Sequence, residues 1–435
     1  MYSSDELHTF YIDHLTQQVL PFWKAAVDEQ YGGVFTAFNA EGSQLLSRDK
    51  YTWSQGRFLW IWSRIAELSR TGILSEQAEL YERQAELAYR FLAEHAVMDN
   101  GSFRFLMEQD GTPKEMVPGQ GHDISFYADC FVIMGFAEYG RVFRNREAFE
   151  LAAKLFDGVE RRLQEGSVRS EPYQVPDNML VHGYAMIMLN TAQSLIKSAD
   201  SFDEQEKVSS YRRYAIEKCR QILKVLRDSS NRIREVLAAE DAGLRNAPAS
   251  DKLLLRHLNP GHSAESLWFV MQEVQEQGDA AMLNEAAGTL KSVLASGWDE
   301  QYGGLLRYID LDGGEPQGEQ LEGAGNFEAL IRGTWDMKLW WPHSEALYAS
   351  RLALGLTGDE VFQDWYKKLH DYTFRVFPAE PGREWIQIRM RDGAPAERIV
   401  ALPVKDPYHI IRNVLLMIEL TARKGENSNG TNGYN

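Results

Sequence analysis

Along most of this chain apolar residues return at steps of three and four, and that period restricts the fold more than any other feature. Phe58, Ile61, Trp62, Ile65 and Leu68 share one helical face. So do Phe126, Cys130, Met134 and Ala137, then Ala185, Met186, Leu189, Ala192 and Ile196. Ala264, Leu267, Trp268 and Met271 repeat the pattern, as do Ile411, Val414, Leu415 and Ile418. A helix with an apolar stripe must bury it against another element, so helices of this kind pack on one another. The pattern predicts helices over 4–20, 54–70, 75–95, 123–142, 146–165, 178–197, 203–226, 261–277, 279–296, 340–356, 359–376 and 407–423, which is twelve, or six consecutive pairs.

The gaps between pairs carry strand-like stretches. Gly33-Val-Phe-Thr-Ala-Phe38, Gly101-Ser-Phe-Arg-Phe-Leu106, Gly304-Leu-Leu-Arg-Tyr-Ile309 and Glu384-Trp-Ile-Gln-Ile388 read as short strands, several of them leading into turns such as Asp110-Gly111, Asp312-Gly313 and Asp392-Gly393. Asp28-Glu-Gln-Tyr-Gly-Gly33 recurs as Asp299-Glu-Gln-Tyr-Gly-Gly304. The repeat reads as an element that leaves a helix, turns on two glycines and enters a hairpin. Helix pairs with hairpins at one end point to an all-α fold, an (α/α)6 barrel with short β-hairpins at one mouth; an open helical solenoid is the alternative. The expected organisation is a single barrel over 1–423 and a disordered polar tail over 424–435. Residues 228–258, with Ala-Pro-Ala-Ser at 247–250, read as a long excursion before a helix start.

Composition removes several function classes. Lys and Arg number 46 against 63 Asp and Glu, a net charge of −17, which repels a phosphate backbone and argues against nucleic acid as a partner. Two cysteines, Cys130 and Cys219, stand far apart, which excludes a disulfide scaffold and a cysteine zinc site. The polar start Met1-Tyr-Ser-Ser-Asp-Glu-Leu-His8 has no signal-peptide pattern, and no run of 18 apolar residues exists, so a soluble cytoplasmic protein without a membrane partner is expected. The phosphate-binding glycine loops, the H-E-x-x-H zinc helix and the G-x-S-x-G elbow are absent. No metal-ligand cluster and no cofactor motif is visible.

The candidate chemistry lies at helix starts. Asn259-Pro-Gly-His262-Ser-Ala-Glu265 puts an imidazole and a carboxylate three residues apart on one face, where the carboxylate can orient the ring; the competing reading is a capping box. Asn178 and His182 are four apart at the head of an apolar stripe, and His409 follows Pro407 near another helix start; lone histidines of this kind are also found as satisfied core residues. Arg57 and the Lys338-Leu-Trp-Trp-Pro-His343-Ser-Glu345 run open two further helices. Polar groups at several such starts, turned into one mouth, would make a polar pocket floored by aromatics. Aromatic residues make up 11% of the chain, with eleven Trp and nineteen Tyr, a supply that suits sugar rings as well as cores.

Taken together, Pro21-Phe-Trp23, Gly32-Gly33, Lys50-Tyr-Thr-Trp-Ser-Gln-Gly-Arg57, Asn259-Pro-Gly-His262, Trp268-Phe269 and Met337-Lys-Leu-Trp-Trp-Pro-His-Ser-Glu345 resemble the N-acylglucosamine 2-epimerase family, over essentially residues 8–420. The resemblance implies an (α/α)6 barrel and metal-free epimerisation or isomerisation of sugars at C2. It implies His262 and His409 as the acid/base pair, with Arg57, Asn178 and His182 positioning the substrate and Glu265 supporting His262. Tyr127, Trp341 and Trp385 would wall the sugar site. Lys405-Asp-Pro-Tyr-His-Ile-Ile-Arg412 keeps the His-x-x-Arg of the family but differs in its leading residues, and the 228–258 excursion differs in length. Both changes bear on which sugar is bound.

The expected reaction is proton abstraction from C2 of an open-chain aldose, whose C1 carbonyl makes that proton acidic. A neutral imidazole can take the proton and return it, and Arg57 would hold the developing oxyanion. N-acyl-D-glucosamine and N-acyl-D-mannosamine are the first substrates to expect; the alternatives are aldose–ketose isomerisation or epimerisation of mannose, glucose, fructose or a cellobiose-type disaccharide. A glycoside hydrolase on the same barrel would need two carboxylates flanking the bond, for which Asp123, Glu265 and Glu345 are the candidates. A purely partner-binding protein would not need paired bases. The expected partner is a small sugar, with a homodimer possible.

Overall fold

In the computed structural model six nearly fully buried helices stand side by side and close on themselves. The structure describes residues 3–242, 250–396, 398 and 402–429, with side chains through Ala422. The inner helices are Thr52–Arg70, Phe126–Phe143, His182–Ser201, Pro260–Glu276, Trp340–Thr357 and Tyr408–Asn429. Each packs on its two neighbours, and Tyr408–Asn429 packs back on Thr52–Arg70, so the ring is closed and the open solenoid is ruled out. The outer layer is Ser4–Asp13 with its continuation through a π turn into Leu20–Ala25, then Ala78–Phe91, Arg146–Gln164, Gln205–Arg220, Ala280–Gly297 and Val361–Val376. This is the (α/α)6 barrel.

The two layers differ as their sequences do. Every residue from Phe126 to Gly140 is buried, because this inner helix meets neighbours on all sides. Its outer partner Arg146–Gln164 buries one stripe, Ala148, Phe149, Ala152, Ala153, Leu155, Phe156 and Val159, and leaves charged residues to solvent. Inner helices Thr52–Arg70 and Phe126–Phe143 meet backbone to backbone. A Cβ at Gly56 would come within 2.7 Å of the Phe131 carbonyl carbon, and one at Gly135 within 2.5 Å of the Gly56 oxygen. Glycine at both positions permits that approach and brings the neighbouring Arg57 against Phe131.

Short strands feed the inner helices. Lys50–Tyr51, Met179–Val181, His257–Leu258 and Lys338–Leu339 each run directly into an inner helix or its cap, and each pairs antiparallel with a strand from a loop: Leu106–Met107, Val236–Ala238, Ile309–Asp310 and Ile388–Arg389 respectively. The hairpins therefore gather at the N-terminal ends of the inner helices and build one mouth of the barrel. The six-residue repeat is one such device used twice. Gly32 and Gly33, and Gly303 and Gly304, turn at positive φ, and the amide of Asp28 or Asp299 donates to the carbonyl of Gly33 or Gly304 at 2.9 Å. Each aspartate then meets a fully buried lysine on the strand that enters the next inner helix, Lys50 at 2.8 Å and Lys338 at 3.0 Å. Comparable turns follow two more outer helices, closed by the Val97–Phe103 and Arg227–Ile233 bridges, with Gly101 and Asn231 at positive φ.

Several boundaries move. The helix expected over 178–197 starts at His182, since 179–181 are strand, and the one expected at 123 starts at Phe126. Gly33–Phe38 is not a regular strand but carries single bridges at Val34 and Phe38. An unexpected helix, Gly325–Thr334, lies in the long gap after Gly304. The closing helix runs to Asn429, into the segment expected to be a disordered tail; 430–435 lie outside the described residues, as do 247–249 of the Ala-Pro-Ala-Ser stretch. No described helix is long and apolar enough to cross a membrane.

Candidate active site

The mouth encloses a cavity with two imidazoles in its wall, and each is fixed from behind by a carboxylate. His262 stands in the first turn of its helix. Pro260 presets that turn, and the Asn259 side chain accepts the His262 amide at 3.1 Å. The ring Nδ1–H donates to Glu235 Oε1 at 2.6 Å, which leaves Nε2 available to the cavity. Glu235 precedes Val236 on the strand that pairs with Val181, and its second oxygen accepts from Nδ1 of His182 at 3.1 Å. His182 Nε2 meets Ser266 Oγ at 2.9 Å. Four side chains thus form one chain, Ser266–His182–Glu235–His262, that locks the ring.

His409 opens the closing inner helix. Its Nδ1–H donates to Glu345 Oε1 at 2.7 Å, and its Nε2 lies 3.4 Å from Nη2 of Arg57. Glu345 is completely buried and also accepts from Arg412 Nη2 at 2.6 Å, Asn413 Nδ2 at 2.8 Å and Trp268 Nε1 at 2.7 Å. Arg57 donates from Nη1 to Asp406 Oδ2 at 2.7 Å and lies over the Phe131 ring, 3.8 Å from its centroid, with Trp53 and Tyr408 also within cation–π range. Trp341 packs near both histidines, its ring centroid 5.2 Å from that of His262 and 5.6 Å from that of His409.

The two imidazoles sit in opposite electrostatic settings. Burial alone would lower both. At His262 that pull is outweighed by the charge and hydrogen bond of Glu235, with Glu265 adding to it, and the pKa rises above 6.5. At His409 burial dominates; Glu265 opposes it, Arg57 and Arg412 reinforce it, and the pKa falls to about 3. Burial pushes the Glu235 carboxyl up, but His262 and His182 together hold it far below the carboxylate range. Near neutral pH the cavity therefore holds a neutral imidazole at His409 and a more readily protonated one at His262.

Of the residues singled out in the sequence, His262, His409, Arg57, Tyr127, Glu265 and Trp341 all line this cavity. Three are placed differently from expectation. Asn178 is exposed in a turn at φ +60°, because the helix starts four residues later and the expected shared face with His182 does not form. His182 is completely buried behind Glu235 and orients that carboxylate. Trp385 lies outside the cavity wall, donating to His14 Nε2 at 2.9 Å and stacked on Phe377. Glu265 does not support His262 by hydrogen bond. It accepts from Arg412 at 2.5 Å and stands 3.7 Å from His409 Nδ1. The partner of His262 is Glu235, which sequence reasoning missed along with Asp406, Arg307 and Trp53. The only hint to Glu235 was its place inside the unusual 228–258 excursion.

The carboxylates weighed for glycoside hydrolysis are committed elsewhere. Asp123 pairs with Arg162, and Glu265 and Glu345 share the one Arg412 nitrogen instead of flanking a gap. Among the described residues one donor group could in principle hold a metal ion, Glu265, Glu345 and His409, but the Arg412 guanidinium already bridges its two carboxylates.

Residues 33–413 match the sequence pattern of N-acylglucosamine 2-epimerase (GlcNAc 2-epimerase). The chain belongs to the N-acylglucosamine 2-epimerase family. It is 28% identical over 409 residues to the N-acylglucosamine 2-epimerase of Rattus norvegicus, covering 91% of this chain and 87% of the relative. To that of Homo sapiens it is 29% identical over 419 residues, covering 93% and 87%. The structure of the cellobiose 2-epimerase from Bacillus thermoamylovorans B4167 superposes with a TM-score of 0.72 at 19% identity, covering 95% of this chain and 99% of the other, which shows the shared barrel. Family membership makes the chain a carbohydrate epimerase, an enzyme of the isomerase class.

Proposed function

We propose that the enzyme interconverts N-acyl-D-glucosamine and N-acyl-D-mannosamine by moving the C2 proton of the open-chain aldose between His409 and His262. The observation that carries this is the pair of imidazoles that line one cavity near Trp341, each with Nδ1 fixed by a carboxylate and with opposite protonation tendencies. Nε2 of neutral His409 takes the C2 proton. The electron pair moves through C1–C2 onto the C1 oxygen, giving an enolate whose C2 carries the acylamino nitrogen, and the Arg57 guanidinium beside His409 stabilises that charge. Protonated His262 then delivers its Nε2 proton to the opposite face of C2, and the electron pair returns from oxygen to restore the carbonyl. One turnover exchanges the protonation states of the two rings; the reverse reaction or solvent exchange resets them.

Two features support an N-acyl sugar. The mammalian relatives carry that name over nine-tenths of the chain. The cavity wall also includes an apolar group, Tyr173, Val175, Val236, Tyr308 and Phe327, beside Glu235 and Arg307, which suits an acyl carbon chain. NMR of N-acetyl-D-mannosamine, N-acetyl-D-glucosamine, D-mannose and cellobiose in D2O with the enzyme tests the assignment. Deuterium at C2 of both acetamido sugars, with each converting to the other, is expected. Exchange confined to mannose or cellobiose would move the substrate class, and a ketose product would make the enzyme an aldose–ketose isomerase.

A further inference from the structure

Below the catalytic mouth, toward the C-terminal ends of the inner helices, the barrel holds a second chamber. All six inner helices contribute to its wall, Arg64, Glu138, Gln193, Glu273, Tyr348 and Leu416 being one residue from each. Its rim is open to solvent at Lys197, Asp200 and Glu276. Asn190 and Arg412 line both this chamber and the catalytic cavity, so the two are neighbours along the barrel axis.

Most of the charge in the lower chamber is already matched. Arg64 bonds Glu67 and Glu419, and Arg141 bonds Glu67 and Glu138. Three polar groups are not. Gln193 is more than nine-tenths buried, and its Nε2 donates to the Phe269 carbonyl at 2.9 Å, which fixes the amide so that Oε1 is the free end; that oxygen has no partner among the described residues. Glu273 is buried beside it, with Oε2 3.5 Å from Gln193 Nε2 and with Oε1 likewise unpartnered. Lys197, one helical turn after Gln193, makes no hydrogen bond or ion pair among the described residues. Buried acceptors without donors are costly, so two side by side in an open chamber mark a place for a donor from outside the chain.

We propose that this chamber is a second binding site, for a neutral polyhydroxylated molecule of the sugar or sugar-alcohol type. A hydroxyl group donates, as the buried Gln193 Oε1 and Glu273 Oε1 require, and can also accept from the Lys197 ammonium at the rim. An anion such as a phosphate fits poorly, because five carboxylates against four cations face the chamber and three of those cations are already paired. Trp60, Trp268 and Tyr348 supply aromatic surface for the carbon face of such a molecule. Occupancy bears on catalysis through Arg412. It lines the chamber, its Nε has no partner among the described residues, and its Nη2 bridges Glu265 and the Glu345 that orients His409.

The test is calorimetric titration of the full-length enzyme with methyl α-D-glucopyranoside, whose blocked anomeric carbon cannot open to the aldose. Four proteins are compared: wild type, Arg57→Ala to disable the catalytic cavity, and Lys197→Met and Gln193→Leu in the Arg57→Ala background. Binding that persists in Arg57→Ala and weakens by about tenfold or more in either chamber variant is the expected result. Absence of binding in Arg57→Ala overturns the proposal, and so does any smaller effect of the chamber substitutions. If Gln193→Leu fails to fold by circular dichroism, Lys197→Met, at a solvent-facing position, decides alone.

Discussion

Arg57 holds its Nη2 nitrogen 3.4 Å from Nε2 of His409, so the guanidinium and the base are in contact before any substrate arrives. The contact has two consequences. Burial keeps the imidazole neutral and the fixed positive charge reinforces it, and in the proposed reaction the fork of donors is ready for the C1 oxygen when C2 reaches His409. Asp406 and the Phe131, Trp53 and Tyr408 rings hold the guanidinium there, so it does not have to be ordered during the reaction.

Arg57→Lys is therefore expected to lower kcat by about 10²–10³-fold with a modest change in KM, because lysine keeps the charge and loses the planar fork. The melting temperature should change little, since an ammonium can still meet Asp406. Wild-type kcat per folded molecule combined with a lower melting temperature would assign Arg57 a structural role alone.

The pH profile follows from the two imidazoles. His409 must be neutral to act as base, and its pKa of about 3 keeps it so through the mildly acidic range. His262 must be protonated to act as acid in the same direction, and its pKa is raised above 6.5. The rate in that direction, kcat/KM, should therefore stay on a plateau well below pH 6.5 and fall on the alkaline side as His262 loses its proton. An acid limb centred near 6.5 would show that His409 titrates as an unperturbed histidine and would sink the assignment of bases.

Glu235→Gln removes the charge that raises His262 while keeping an oxygen for its Nδ1–H. The alkaline limb should move to lower pH and kcat should fall by about tenfold or more. His182→Phe should reproduce a smaller part of this effect, because His182 reaches the chemistry only through Glu235. If the alkaline limb stays in place in Glu235→Gln, that limb does not belong to His262.

The barrel was legible because its inner and outer helices bury different shares of their surface, and that difference is written in the period of apolar residues. The helix-start histidines were legible because Pro260 and Pro407 stand at chain positions that begin helices. The partner of His262 was not. Spacing along one helix made Glu265 the obvious carboxylate, yet the ring turns across the mouth to Glu235, twenty-seven residues earlier and just before a paired strand. Strand pairing of only three residues leaves almost no periodic signal. Asn178 failed for the same reason: it precedes a three-residue strand whose pairing with Val236–Ala238 delays the helix to His182. Trp385 was assigned to the sugar wall on likeness alone, and packing against Phe377 and His14 takes it into the core.

Acid stability offers a check on the buried histidines. Burial lowers His14 and His370 to about 4, and His343 and His409 to about 3, against 6.5 in an unfolded chain. A depressed folded-state pKa means that the unfolded chain binds the proton first, so each of the four loses stability as pH falls from about 6.5 toward its folded value. Asp129 and Glu384, pushed by burial to about 7, act in the opposite sense over the same range. His257 adds to the first set, and Glu273 and Asp157, shifted less, to the second; the four large imidazole shifts outweigh the two large carboxyl shifts, so the melting temperature should decline from pH 7 to pH 5. A flat or rising melting temperature would show that these imidazoles are protonated in the folded protein.

The repeated Asp-Glu-Gln-Tyr-Gly-Gly turns allow a paired comparison, since the same buried lysine–aspartate contact occurs in two settings. Removing one partner from a buried ion pair is costly because the remaining charge is left without compensation, typically by about 3–5 kcal/mol. In Lys50→Met, Asp28 keeps only the Gln109 amide at 3.1 Å and the amides of its own turn. In Lys338→Met, Asp299 keeps a guanidinium, with Arg391 Nε at 2.8 Å and Nη2 at 3.2 Å. Urea denaturation should therefore show Lys50→Met destabilised by an amount in that range and Lys338→Met by distinctly less. Asp28→Asn combined with Lys50→Met should recover part of the loss, because no charge is then stranded. Equal losses for the two lysine variants would mean that Arg391 does not compensate Asp299, and no recovery in the double variant would place the cost in packing of the lysine chain instead of in the charge.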